Sequence, residues 1–476
     1  MPHITLIKPS IHEDVNLGKA KLDQLNIIQS QFKQEKFNDF FKNKPSRDII
    51  RVDKIPGEKQ FFLSYGLLSI AALLEREGFD VTYLQQDFLE SEGRWDRMLE
   101  KNTRSEIVGI TSIMGSAYNA IEIGRKVKEV NPDAFLVYGG IDASFRYNMY
   151  LNLIADLVVL GEGEETMLEI AMTKNSESRK RIPGTIAKRN GEIQINEMRQ
   201  PLNISELPPP AFHLVEKKLR KSCGLYLLTS RGCGFRCAYC SEHSFLGEGL
   251  RFRSSEAVVE DLEALCSNFD TQSFVHFADS TFTLRPKKDM GALMDKLKCF
   301  DNLFFNCNVR GITVNNKICD LLAKSNFFGF IVGFESASDR ILKRMKKGET
   351  FSDYVAFLKR IKCKIPIVES HWMFGFPGET KESAEESIRK ITYLLESGLI
   401  TEAWPKIFVP YPGTEVYRFP DKYGIKIIEK DFSKYSRIST PVYESVGLSA
   451  SEIYKLWEKS VYSIISCIKK IQFDSN

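Results

Sequence analysis

Thr229-Ser-Arg-Gly-Cys-Gly-Phe-Arg-Cys-Ala-Tyr-Cys-Ser-Glu-His243 is the stretch on which the reading turns. It spaces Cys233, Cys237 and Cys240 as C-x3-C-x2-C in a loop rich in glycine and arginine. Three thiolates so close in sequence can hold three corners of an iron–sulfur cube and leave the fourth iron open. An open coordination position distinguishes a catalytic metal centre from a structural one. Arg231 and Arg236 are expected to offset the charge of the thiolates and lower their pKa values. The apolar run Leu225–Thr229 reads as a buried strand, so the loop follows a strand's C-terminal end.

Two other readings compete. With His243 the cysteines make a four-ligand set suited to structural zinc, although such a site needs neither a buried strand before it nor a barrel around it. A disulfide framework leaves one of the three close cysteines unpaired. The spacing, with Tyr239 just before the last cysteine, resembles the signature of the radical S-adenosylmethionine (SAM) enzymes. The resemblance implies a [4Fe–4S] cluster whose open iron chelates SAM, with one electron from the cluster breaking the sulfonium bond. It also implies a one-electron donor such as flavodoxin or ferredoxin.

Composition bounds the rest. A chain of 476 residues holds two or three domains with sizeable cores. A net charge of +4 spread over that length is no footprint for nucleic acid. No apolar run reaches the ~18 residues a membrane span requires, and the opening Met1-Pro2-His3-Ile4-Thr5-Leu6 lacks the regions of a signal peptide. Ten cysteines, seven of them scattered outside the motif, suggest no disulfide framework. The expectation is a cytoplasmic protein acting on a small molecule, with no nucleic-acid partner and no membrane span.

Residues 1–165 alternate buried strands (Ile4–Ile7, Val81–Leu84, Ile107–Ile113, Phe135–Tyr138, Leu157–Leu160) with amphipathic segments such as Gly66–Glu77 and Ser116–Val130. That alternation predicts a Rossmann-like doubly wound α/β unit with ligands at the carboxyl ends of its strands. Thr111-Ser112, Gly139-Gly140 and Gly161-Glu162-Gly163-Glu164 cluster at those ends. Each is by itself a tight turn or a place where backbone approaches a bulky ligand. In order, G-G-I-D-A-S at 139–144 and A-D-L-V-V-L-G-E-G-E-E-T at 155–166, with Tyr65-Gly66-Leu67-Leu68, resemble the cobalamin-binding domain found ahead of many radical SAM cores. The resemblance implies cobalamin contacts from Ser112, Gly139, Gly140, Asp142, Gly161, Glu162 and Gly163. Asp142 stands where that family often has histidine, and no D-x-H-x-x-G motif supplies a cobalt ligand.

Residues 16–58 read as a charged surface helical insertion (Leu22, Leu25, Ile28, Phe32), with a substrate lid as the alternative. Residues 166–223 read as a hairpin over 182–195 and a linker around Pro201 and Pro208–Pro210, with His213 a surface or packing residue.

Residues 224–425 carry six strand runs at βα spacing: Leu225–Thr229, Ser273–Ala278, Leu303–Val309, Phe327–Phe334, Ile367–Phe374 and Ala403–Val409. Six consecutive units make a partial (β/α)6 TIM-type barrel, the open barrel of the resembled family. Asp279, Arg310 and Glu335 end its second, third and fourth strands, at the rim where barrel active sites form, although an isolated Asp there is often a helix cap. Gly333–Ser338 followed by Leu342, Met345, Lys347 and Gly348 resembles the family's fourth-strand motif, which implies that Glu335 contacts SAM. By the same resemblance Arg310 is a SAM contact and Asp279 a catalytic residue. Gly375 and Pro377 line the adenosine site, and Tyr239 lies near the adenine. Tyr411-Pro412-Gly413-Thr414 resembles a turn of the cobalamin-linked subgroup. The other cysteines show no spacing for an auxiliary cluster.

Residues 426–476 are charged and carry a helix from about Ser451 to Ile471 with one apolar stripe. The resemblance implies a cobalamin-dependent radical SAM enzyme methylating an unactivated carbon of a small-molecule or natural-product substrate. The alternative in the same architecture is ring formation, rearrangement or fragment coupling without methyl transfer. A non-catalytic cobalamin- or zinc-binding module is the reading from another class.

Overall fold

The computed structural model describes residues 3–11, 18–41, 61–269 and 274–475. Residues 16–17 and 42–58 of the expected insertion, and Ser273 of the second barrel strand, lie outside the described residues.

Seven strands form the first sheet: β1 (His3–Lys8), β2 (Asp80–Gln85), β3 (Ile107–Thr111), β4 (Phe135–Gly139), β5 (Leu157–Val159), β6 (Thr185–Arg189) and β7 (Glu192–Ile195). Their order is β2-β1-β3-β4-β5-β6-β7, parallel through β5. The chain reverses direction of winding at β1, so a crevice opens at the carboxyl ends of β1 and β3. Strands β1 to β5 are near-continuous apolar runs because helices cover both faces. The hairpin expected over 182–195 is present as β6 and β7, and it pairs antiparallel onto β5 at the sheet's edge. Its interior residues Ile186 and Ala187 are buried, which gives that edge its apolar cover.

The second sheet holds β8 (Tyr226–Leu227), and, after the short antiparallel pair β9 (Ser230–Arg231) and β10 (Arg251–Phe252), continues with five more strands. These are β11 (Phe274–Phe277), β12 (Phe304–Val309), β13 (Phe327–Glu335), β14 (Ile367–Phe374) and β15 (Glu402–Ile407). The order β15-β14-β13-β12-β11-β8 is parallel throughout and unclosed, the expected six-stranded open barrel. One face of each strand is buried under helices; the other, carrying His276, Asn306, Asn308, Glu369, His371, Trp404 and Lys406, is half-buried and lines the hollow. A small hairpin, β16 (Ile425–Ile427) with β17 (Tyr443–Ser445), follows.

An open barrel has two unpaired edges, and unpaired edges must be covered. Along β8, the amide of Phe61 donates to the Ser222 carbonyl at 3.1 Å, and the Tyr226 hydroxyl donates to the Leu63 carbonyl. Along β15, the amide of Ala403 donates to Gln29 Oε1 at 2.6 Å. Gln29 belongs to the helix Lys19–Phe41, whose Leu25, Ile28 and Phe32 are buried. The expectation of a surface insertion is therefore corrected: an apolar stripe at helical spacing seats this helix on the barrel's edge, and its polar remainder faces solvent. The C-terminal helix Ala450–Ser475 packs against it and against the helix Lys381–Glu396. There the Trp457 indole donates to the Pro405 carbonyl at 3.0 Å. No helix among the described residues is long and apolar enough to cross a membrane.

Candidate functional site

The cysteine loop leaves β8 and is framed at its base by β9 and β10. Gly232 makes the turn with φ 88°, and a Cβ there would meet the Gly249 carbonyl oxygen at 2.2 Å. Only glycine fits that approach. The loop is stapled by Asp279, whose carboxylate accepts from the Thr229 amide, the Thr229 hydroxyl and the Ser230 amide at 2.5, 2.5 and 2.9 Å. Asp279 is buried, and burial pushes its pKa up against those hydrogen bonds. The carboxylate is thus spent on the loop's backbone and does not open on the hollow. The sequence reading of Asp279 as a catalytic group is replaced by a positioning one. Further along, the Ala238 amide donates to the Met345 carbonyl at 2.9 Å, tying the loop to the turn after β13.

Neither arginine of the loop faces the thiols as expected. Arg236 pairs with the exposed Glu248, and Arg231 turns toward the first sheet. The cation beside the cysteines is Arg310, at the end of β12, whose Nη1 lies 3.5 Å from Cys237 Sγ. Its guanidinium stacks 3.6 Å over the Phe235 ring, and its Nε donates to Glu349 at 3.1 Å. Its Nη2 is buried without a partner among the described residues. His243 lies 3.8 Å from Glu248 and is not aimed at the cysteines.

Glu335 ends β13 at a register shift between Gly333 and Glu335, and it holds a left-handed backbone with φ 67°. Its Oε1 accepts from the Tyr239 hydroxyl at 3.1 Å and lies 3.9 Å from Lys347 Nζ. Burial, then the charge of Glu335, raises the Tyr239 hydroxyl well above its ordinary range. Arg310, Tyr239, Glu335 and Lys347 therefore converge beside Cys237. Lys347 was quoted in the sequence only as part of a motif, and its salt bridge needed the fold to be seen.

Gly375 and Pro377 stand in the turn that follows β14. A Cβ on Gly375 (φ 87°) would meet Ile453 at 2.5 Å and the Tyr443 hydroxyl at 2.7 Å, so the C-terminal segment covers that face. Pro377 is buried beside it. The turn reaches the site through Phe376, whose ring packs edge-on against Tyr239 at 6.5 Å.

Across from the cysteine loop, the crevice of the first sheet opens as a cavity of about 450 Å³. Gly139, Gly140, Gly161, Glu162 and Gly163 line it from the sheet, and Leu228, Ser230, Arg231 and Phe245 from the barrel. Gly140 has φ 90°, and a Cβ there would meet the Ser112 carbonyl oxygen at 2.7 Å. Ser112 and Asp142 do not line this cavity. Asp142 is buried, takes both ends of the Arg146 guanidinium at 2.7 and 2.6 Å, and accepts the Tyr150 hydroxyl at 2.5 Å. Ser112 Oγ lies 2.6 Å from the same hydroxyl. Both side chains point back between sheet and helix, where they fix the turn whose glycines face the cavity. Sequence reasoning missed the bond across the cavity: Arg231 pairs with Glu162 at 2.7 Å and with Glu164, and Arg251 also reaches Glu162 at 2.7 Å. Burial alone would raise Glu164, but the Arg231 charge together with hydrogen bonds from Arg231, its own amide and Ser69 outweighs it and holds that carboxyl down.

The donor set fits the implied groups. Three thiols in one loop, Cys233, Cys237 and Cys240, are the donor type an iron–sulfur cluster takes. The orphaned Arg310 Nη2 beside Cys237 suits a ligand carboxylate. Glycine turns flooring an apolar cavity suit a flat, bulky ring.

A doubly wound unit facing an open six-stranded parallel barrel, with three thiols in one loop at the barrel's rim, defines a radical SAM enzyme with a cobalamin-binding unit ahead of it. Residues 227–391 match the radical SAM superfamily and residues 59–171 the B12 binding domain. The chain is 31% identical over 368 residues to an uncharacterized methyltransferase of Pyrococcus horikoshii, covering 75% of this chain and 78% of the relative. It is 25% identical over 404 residues to the anaerobic magnesium-protoporphyrin IX monomethyl ester cyclase of Rubrivivax gelatinosus, covering 81% and 70%. The radical SAM methyltransferase TsrM of Kitasatospora setae, solved with cobalamin and a [4Fe–4S] cluster, shares the fold with a TM-score of 0.68 at 18% identity, over 98% of this chain and 89% of that one. The cobalamin-dependent SAM radical enzyme OxsB shares it at 0.70 and 16% identity, over 96% and 66%. The chain belongs to the cobalamin-dependent radical SAM methyltransferase family. It is an enzyme, and its cofactors are a [4Fe–4S] cluster, SAM and cobalamin.

Proposed function

We propose that the enzyme methylates an unactivated carbon of a small-molecule substrate held between the two units. The cavity carries this reading: its glycine floor belongs to the first sheet, and its opposite wall is Ser230 and Arg231, immediately before Cys233. A group seated on the sheet would thus lie across this cavity from the loop that carries the cysteines. When bound, the cluster and SAM supply a hydrogen-abstracting radical and cobalamin supplies the methyl group.

The chain's own part is to bind, orient and exclude water. Cys233, Cys237 and Cys240 would hold the cluster, with Asp279 fixing the loop that presents them. Arg310 Nη2, lacking a partner in the fold, would take the carboxylate of SAM, and Glu335 its amino group, with Tyr239 and Lys347 holding Glu335 in place. Gly139, Gly140, Gly161 and Gly163 would let the corrin approach the sheet. Among the described residues no histidine lines the cavity, and the sequence has no D-x-H-x-x-G motif; the expected form of bound cobalamin is base-off. A flavodoxin or ferredoxin in the cytoplasm would supply the electron.

The test is product counting under anaerobic turnover with substrate candidates, with and without cobalamin. Methyl transfer should yield S-adenosylhomocysteine and 5′-deoxyadenosine in equal amounts and require cobalamin. Deoxyadenosine without matching S-adenosylhomocysteine, at a rate indifferent to cobalamin, would replace methylation with ring formation or rearrangement.

A further inference from the structure

The hollow of the barrel contains a chain of titratable side chains that neither the cysteine loop nor the glycine cavity uses. Glu369 and His371 on β14 and Lys406 on β15 lie on the half-buried inner face. His371 Nε2 is 2.8 Å from Glu369 Oε1, and Lys406 Nζ is 3.0 Å from His371 Nδ1. With a carboxylate on Nε2, that nitrogen carries the proton, and Nδ1 is left to accept from the Lys406 ammonium. Burial pushes Glu369 up, but the His371 hydrogen bond and the Lys33 charge outweigh it and hold its carboxyl down at about 2. The chain of contacts therefore aims Lys406 by way of the His371 ring and gives it no hydrogen-bonded carboxylate of its own.

A second cation stands beside it. The Arg437 carbonyl accepts from the Ile407 amide at 2.7 Å, which sets Arg437 along the edge of β15 next to Lys406. No hydrogen bond or ion pair of the Arg437 side chain is found among the described residues, and the residue is exposed. Burial, then the charge of Arg437, lowers the Lys406 amine to about 8, against the opposing pull of Glu335 and Glu369. Two like charges brought together without an acid on either cost free energy that a third, negative partner would return. The pair sits at the carboxyl end of β15, on the same rim as Glu335 at the end of β13.

We propose that Lys406 and Arg437 form the binding site for an anionic group, a carboxylate or a phosphate, of the substrate. Glu369 and His371 are positioning residues that hold the ammonium toward it. The assignment of this anion to the substrate builds on the methyl-transfer reading above; the anion site itself does not depend on it.

The experiment uses the anaerobically reconstituted holoenzyme saturated with SAM, so that Arg310 is occupied, and titrates pyrophosphate and succinate by calorimetry. One probe should bind in a one-to-one ratio, and Lys406→Met and Arg437→Gln should each weaken it about tenfold or more, the loss expected for a charge-assisted hydrogen bond. Lys406→Arg should retain most of the affinity, and SAM binding and the cluster absorbance should be unchanged in all three. Preference for pyrophosphate assigns a phosphoryl group, and preference for succinate a carboxylate. Arg437 is exposed, so its variant folds even where a lumen substitution fails. Absence of binding by either probe at millimolar concentration, or equal binding by wild type and Arg437→Gln, overturns the site. Because no turnover is measured, failure of methyl transfer leaves this result standing, and failure of anion binding leaves methyl transfer standing.

Discussion

Glu335 keeps a left-handed backbone that a non-glycine residue holds only where its surroundings over-determine it. Here the Tyr239 hydroxyl and Lys347 do so, and a Cβ on the neighbouring Gly333 would stand 2.4 Å from Glu335 Oε1. Glu335→Gln should preserve the fold and the cluster while weakening SAM about ten- to a hundredfold, the loss of about 1.5–3 kcal/mol expected for a hydrogen bond to a charged group. Equilibrium dialysis with labelled SAM measures it, and an unchanged Kd would make Glu335 a structural residue. Asp279 and Asp142 show why residue type and strand position do not suffice. All three acids follow strand ends, yet two of them turn inward to backbone amides or an arginine. Glu379 is another buried acid: burial holds its carboxyl up at about 8, with one oxygen taking the Gly375 amide and the other unpartnered among the described residues. The folded state thus keeps a proton that the unfolded chain releases above its ordinary value of 4.5. Stability from this group is fully present below that value and is lost as pH rises through about 8. Glu379→Gln should flatten that slope, and thermal unfolding of the holoenzyme at about pH 5 and about pH 8 should then differ less than in wild type.

At the scale of elements, the strands were legible because each is an apolar run bounded by glycine or polar residues, and all eleven of the runs read from sequence hold strands of the two sheets. The cysteine loop was legible because its spacing is local. What was not legible is pairing at a distance. The helix Lys19–Phe41 reads as polar and isolated, since the barrel amide its Gln29 serves, Ala403, lies 374 residues away. Lys33 of the same helix also reaches Glu402 at 2.7 Å. The helix should therefore behave as part of the barrel. Leu25→Ala, at a fully buried position, should cost about 2–5 kcal/mol and lower the unfolding midpoint of the whole protein. If only a local segment loosens, with the midpoint intact as read by hydrogen exchange, the helix is an appendage after all.

At the scale of the molecule, the two units are joined by more than the chain between them. The first unit supplies cover for β8 through Phe61 and Leu63, and its Glu162 and Glu164 grip Arg231, two residues ahead of the first cysteine. The Arg231 and Glu164 side chains are only 12% and 3% exposed, so the bridge lies in the low-dielectric wall of the cavity rather than at a screened surface. Removing the cation there strands the buried Glu164 carboxylate, while Glu162 keeps Arg251; losing one partner of a buried pair costs about 3–5 kcal/mol. The loss should fall on both sides of the cavity, because Arg231 belongs to the cysteine loop and the acids to the glycine turn. Arg231→Met is therefore expected to lower cobalamin affinity and iron retention together, whereas Arg236→Met, at an exposed pair with Glu248, should change neither. Adding Glu164→Gln to Arg231→Met should recover part of the loss by removing one stranded charge. Cobalamin titration by absorbance and iron assay on the same anaerobic samples distinguish the outcomes: if Arg231→Met loses iron but binds cobalamin as wild type does, the two halves of the site are held independently and the bridge serves the loop alone.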